Sequence, residues 1–227
     1  MKKSKIPAVL MACLIALPTA TVLSGCRSRT DTFISRETKS AEELAQLERE
    51  QIEAEQAAYR LLAETHRVCT NAGGVLINAY SFAAEERTDS RSGADELTAF
   101  CMVTDLDRQT VTEAVSAVAS EWGITGKSTA ELLQNETTAV RVACQALTAN
   151  GTYGTLEQLI EQSTEAMKKV SSASAGYFPM RNYYFDLIDY AAYCKFPTGA
   201  YSDIGATVKE YESVLANTRY KLEQAIE

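Results

Sequence analysis

The chain has 227 residues, 22 basic and 30 acidic, for a net charge of −8, with one histidine and six cysteines. That length holds one domain with a sizeable core. The acidic balance argues against nucleic acid and other polyanions, whose phosphates need clustered Lys and Arg. A single His66 excludes His-rich metal sites and disfavours most His-dependent catalysis.

The chain opens on Lys2, Lys3 and Lys5, followed by an apolar run over 6–22 that Pro7 and Pro18 interrupt. It ends in Leu23-Ser24-Gly25-Cys26. A basic start, a short apolar stretch and small residues before a cut site read as a secretory signal peptide over 1–25. The run is short for a membrane span and broken by prolines. Residues 23–26 resemble the lipobox of bacterial lipoproteins. The resemblance implies that the Cys26 thiol takes a diacylglycerol, that the chain is cut before Cys26, and that the new amino group is acylated. Several acyl chains on one residue anchor a protein stably without spanning the bilayer. Arg27 stands where Asp tends to retain such proteins in the inner membrane, so the resemblance points to the periplasmic face of the outer membrane.

Loss of 1–25 leaves 19 basic against 30 acidic residues, a net charge of −11. Cys13 departs with the signal and Cys26 is lipidated, which leaves Cys69, Cys101, Cys144 and Cys194. In an oxidising compartment an even set reads as two disulfides, with three connectivities open. We expect Cys69–Cys101 and Cys144–Cys194. No Cys-x-x-Cys pair is present, so no metal is expected, and no cofactor is implied.

Residues 26–39 are polar and read as the lipidated cysteine plus a tether; 40–227 reads as one mainly helical periplasmic domain. Ser40 with Glu43 forms a capping box. A helical pattern follows to about Asn71, with Leu44, Leu47, Gln51, Ala54, Ala58, Leu61, Thr65 and Val68 at three- and four-residue spacing. This heptad stripe suits a long helix packed on its own domain, or a coiled coil with a partner. Gly73-Gly74 is expected to end it.

Val75–Phe82 and Leu97–Thr104 are β-branched or aromatic runs around a polar stretch, which suggests a small hairpin closed by Cys69 and Cys101. A helix over 95–104 is the other reading. Cys69, Gly73-Gly74 and Cys101 together resemble a hairpin module of exported bacterial chains grouped as haemolysins, a resemblance confined to 69–105 that implies no defined activity.

From Asp107 onward the chain reads as helices: about 110–122, then 128–149 behind a second capping box (Ser128, Glu131), 155–170 behind Thr155, 182–195, and 202–226 behind Ser202. The fold class is therefore mainly α, a multi-helix bundle with long N- and C-terminal helices.

Gly123-Ile124-Thr125-Gly126-Lys127-Ser128 has the end of a phosphate loop, but Glu121 occupies the position of its first Gly, so it reads as a capping turn. His66 stands three residues before Cys69, which suits a surface or interhelical histidine better than a catalytic base. Asp186, Asp189 and the adjacent Tyr190 outline a carbohydrate-cleaving site, though solvated acids explain them more simply. The outstanding feature is aromatic: nine of the 18 aromatic residues fall between Tyr177 and Tyr201. Tyr joins an apolar ring to a hydroxyl that tolerates water, which suits interfaces. Tyr183, Tyr184 and Phe185 are consecutive and cannot all face inward. Two readings stay open: the rings fill the core between the last helices, or part of the cluster forms an interaction surface drawn from Tyr183, Tyr184, Tyr190, Tyr193 and Tyr201.

The functional expectation is a non-enzymatic, lipid-anchored binding, assembly or tethering factor for another envelope protein. The alternatives are an inhibitor or immunity lipoprotein against an envelope-active toxin or lysozyme and, lower, a cell-wall glycan-active enzyme.

Overall fold

A computed structural model describes residues 40–84 and 95–226. The signal peptide, Cys26, the tether and most of the polar stretch between the two hairpin segments lie outside the described residues. Those described form eight α-helices and no strand, as a mainly α bundle requires.

Helix α1, Ala41–Ala84, is the spine. The predicted capping box opens it: Ser40 N donates to Glu43 Oε2 and Glu43 N to Ser40 Oγ. At about 1.5 Å per residue it runs roughly 66 Å. It does not end at Gly73-Gly74, and the first arm of the expected hairpin is its last three turns. The residues there carry strand propensity, but Leu76, Ala79 and Phe82 recur at helical spacing and are all buried. A continuous buried stripe outweighs a propensity difference of a fraction of a kcal/mol per residue.

The second arm is α2, Glu96–Thr104, capped by Asp95, whose side chain accepts from Thr98 N. Phe100 meets Phe82 edge-on at 5.3 Å, and Asn78 Nδ2 donates to Val103 O at 2.8 Å. Helices α3 (Arg108–Glu121), α4 (Thr129–Leu133) and α5 (Glu136–Ala149) complete a cap on the C-terminal half of α1. The single helix expected over 128–149 is two, because Asn135 leaves the helix to cap α5 through Thr138 N. The expected Ser128–Glu131 capping box is present and opens α4.

Helices α6 (Thr152–Met167), α7 (Tyr177–Lys195) and α8 (Ile204–Ile226) form a four-helix layer with α1. Gly151, at φ 81°, sets the start of α6 three residues before the expected Thr155 cap. A 3-10 turn at Tyr201–Asp203 leads into α8 in place of the expected Ser202 cap. Ser174 bonds Glu55 and Tyr183 bonds His66, so α7 runs parallel to α1. Tyr59 bonds Glu223 while His66 bonds Glu212, so α8 runs antiparallel.

The heptad stripe of α1 divides in two. From Ala58 onward its inward positions are buried. Before that, Leu44, Leu47 and Ile52 are exposed beside Glu42, Glu43, Glu48, Glu50 and Glu53. Among the described residues no helix is long and apolar enough to cross a membrane.

Candidate functional site: the two faces of helix α7

The aromatic segment became α7, and its rings sort by angle around the helix. Tyr183 and Tyr190 are 0% exposed and Tyr193 is buried with them, so these three belong to the core and not to the expected interaction surface. Tyr184 is half-buried, its hydroxyl 2.7 Å from Thr164 Oγ1 on α6. Tyr201 is half-buried in the 3-10 turn. The reason is geometric. Positions 183, 187, 190 and 194 share one face, and that face is enclosed by α1 and α8.

The inward face builds a polar seam. His66 Nδ1 lies 2.7 Å from Tyr183 Oη, and its Nε2 lies 3.2 Å from Glu212 Oε2. With the ring proton on Nε2, His66 donates to Glu212 and accepts from Tyr183. Thr70 Oγ1 donates to Glu212 Oε1 at 2.7 Å. The lone histidine is therefore interhelical, tying α1 to α7 and α8. Tyr183 is fully buried, and burial pushes its hydroxyl above the ordinary range. Beside this seam Tyr190 stacks on Tyr211 at 5.1 Å and 16°. Its Oη meets the backbone at Gly73, where a Cβ would overlap it. Gly73 is thus a notch that admits Tyr190, which is why a glycine sits in mid-helix.

The outward face carries what the sequence reading missed. Phe178, Phe185 and Phe196 are 61%, 48% and 62% exposed. Phe178, Phe185 and exposed Ala192 recur at a spacing of seven on one side of the helix, and Phe196 follows as its C-cap residue. Arg181 sits 5.4 Å from the Phe185 ring centre, and Lys195 5.7 Å from that of Phe196. The sequence carries a signal for this: phenylalanine lacks the hydroxyl that Tyr153, Tyr184 and Tyr59 use inside the fold. The stripe spans about 27 Å along the axis.

Asp186 is half-buried, and that burial raises its pKa, whereas Asp189 is exposed on the outer face. Neither lines the polar groove of Asn71, Asn78, Asp105 and Asn150, about 410 Å³, or the apolar groove of Tyr153, Leu156, Ile160 and Ile188, about 170 Å³. Lys127 is exposed and the Ser128 turn caps α4, as the capping reading requires. The start of α4 is closed by Glu131, which accepts from Ser128 N at 2.7 Å and repels an anion.

The four cysteines are free thiols in the structure. The pairs Asn78–Val103 and Phe82–Phe100 set Cys101 opposite about residue 81, so Cys69 lies roughly 18 Å away along α1. That separation is incompatible with the expected Cys69–Cys101 bond; it follows from the hairpin having become helix. Cys194 instead approaches Cys69, its Sγ 3.7 Å from Cys69 O. Cys144 meets the Tyr153 hydroxyl, which itself donates to Cys194 O at 2.6 Å. Among the described residues no cluster of three His, Cys, Asp or Glu is placed to hold a metal ion.

No family model, curated protein or solved structure matches this chain.

Proposed function

We propose that this is a lipid-anchored envelope protein that binds and positions another envelope protein through the outer face of α7. The observation that carries the reading is the stripe of Phe178, Phe185 and Phe196. Single exposed apolar residues are ordinary on a protein surface, but aligned rings on one helix face mark a contact surface. The lipobox resemblance supplies the anchor at Cys26, and Arg27 the outer membrane. Anchoring confines the domain near membrane-bound partners and so raises its effective concentration. That role needs no chemical step.

The test is affinity capture from detergent-solubilised envelope, comparing the full chain with a variant carrying Phe178→Ser, Phe185→Ser and Phe196→Ser. A protein captured by the first and lost with the second supports the proposal. Identical capture by both contradicts it.

A second reading draws on a different observation. The exposed acids Glu42, Glu43, Glu48, Glu50 and Glu53 line the N-terminal part of α1. Such a face suits a basic enzyme such as a lysozyme, favouring an inhibitor or immunity role. Salt-sensitive inhibition of lysozyme, lost on reversing these charges, would select it.

A further inference from the structure

Three of the four thiols converge where α1, α5 and α7 meet. Cys69 and Cys194 are 0% exposed and Cys144 is nearly so. Burial holds all three above the ordinary thiol range, Cys69 at about 12. As thiols they are inert packing groups.

We propose that Cys69 and Cys194 form a disulfide that staples α7 to α1. Four observations select this pair over the other connectivities. The Cys194 sulfur already lies against the Cys69 peptide group, 3.7 Å from its carbonyl oxygen. Cys69 and Cys194 are both fully buried in the seam where α7 packs on α1. Cys144 has the Tyr153 hydroxyl at its thiol, and that hydroxyl donates in turn to the Cys194 carbonyl at 2.6 Å. Cys101 sits on α2, roughly 18 Å from Cys69 along the α1 axis. The bond would leave Cys101 and Cys144 as thiols, and Cys101 as the accessible one.

The oxidant is a disulfide-bearing compound, either a small-molecule disulfide or an oxidoreductase. The thiolate of one cysteine attacks that disulfide, forms a mixed disulfide and expels one thiolate of the oxidant. The second protein thiolate then attacks the mixed disulfide and expels the other oxidant sulfur. Two protein thiols become one disulfide, and two protons and two electrons pass to the oxidant. Because both sulfurs are buried in the folded chain, the exchange belongs to folding, before α7 docks. The bond joins residues 125 apart in sequence, so it restricts the unfolded chain strongly in the entropic account.

The proposal uses the envelope reading only for the source of the oxidant, and two arms of the test separate them. In the first, cells are alkylated before lysis and the full chain, purified in detergent, is digested without reductant and mapped by mass. In the second, the same chain is reduced, unfolded and refolded in a buffer of oxidised and reduced glutathione, then trapped and mapped. The expected result in both is a linked peptide pair containing Cys69 and Cys194, 2 Da lighter than its reduced parts. Its reduction should lower the melting temperature by about 5–15 °C. Cys69→Ser and Cys194→Ser should each abolish the link and melt with the reduced chain, while Cys144→Ser should leave the link intact. A link found on refolding but absent from cells keeps the pairing and contradicts the oxidising compartment. Four alkylated thiols after refolding to a native helical spectrum, or Cys194 joined to Cys144 or Cys101, overturn the pairing.

Discussion

Adjacent glycines in α1 offer a controlled experiment on how α7 packs. Gly73 and Gly74 both sit inside a helix, so replacing either by Ala adds about 1 kcal/mol of helix propensity. Their surroundings differ. A Cβ at Gly73 would overlap Tyr190 Oη and lie 3.1 Å from both Tyr190 Cζ and Val208 Cγ1, whereas a Cβ at Gly74 meets nothing within 4 Å. Tyr190 cannot swing aside without leaving its stack on Tyr211. Overpacking of this kind costs about 1–3 kcal/mol. Propensity cancels between the two variants, so Gly73→Ala should be less stable than Gly74→Ala by about 1–3 kcal/mol. In thermal melts that is roughly 2–12 °C at this chain length. The clash is chiefly with the tyrosine hydroxyl, so Tyr190→Phe should recover much of the loss in the double variant. Alone, Tyr190→Phe should be nearly neutral, since that buried hydroxyl has no well-formed hydrogen bond among the described residues. Urea denaturation followed by circular dichroism measures all four proteins. Equal stability of the two alanine variants would refute the notch and the placement of α7 on α1.

Three further predictions follow from the same geometry. Tyr190→Ala should cost about 3–5 kcal/mol in urea denaturation, whereas Phe185→Ser should stay within about 0.5 kcal/mol of the parent chain; similar losses from both would contradict the inward and outward faces. His66→Ala removes one partner each from Tyr183 and Glu212 and should cost about 1–3 kcal/mol, with an intact melt telling against the seam. Arg108 chiefly, with Thr98, holds the Asp95 carboxyl far below its ordinary 3.8. A depressed folded pKa gives stability that is present above the unfolded value and lost as pH falls through the folded one. Asp95→Asn should therefore weaken the fold at neutral pH and match the parent at strongly acid pH; a constant difference across pH would contradict that pairing.

The capping boxes at Ser40 and Ser128 were legible because two side chains three apart satisfy each other's backbone donors whatever the tertiary context. The long C-terminal helix was legible because Ile204, Val208, Leu215 and Leu222 recur at helical spacing and are all buried. The hairpin was not, because Val75–Phe82 carries strand propensity and only the partners of Leu76, Ala79 and Phe82 show it to be helix. Gly73 read as a helix end for the same reason: its role depends on Tyr190, more than a hundred residues away in sequence. The tyrosine cluster misled because a hydroxyl that tolerates water also finds partners indoors, as Tyr183 does with His66 and Tyr153 with the Cys194 carbonyl. The exposed phenylalanines, which have no such recourse, were the better sign of a surface.

The central claim is that the outer face of α7 meets another envelope protein, and photocrosslinking in intact cells tests it most directly. A photoreactive amino acid is placed at Phe178, Phe185 or Phe196, with exposed Thr112 on α3 as control. The account predicts one shared adduct from the three α7 positions and none from Thr112. No adduct from α7, or the same adducts from Thr112, would contradict it.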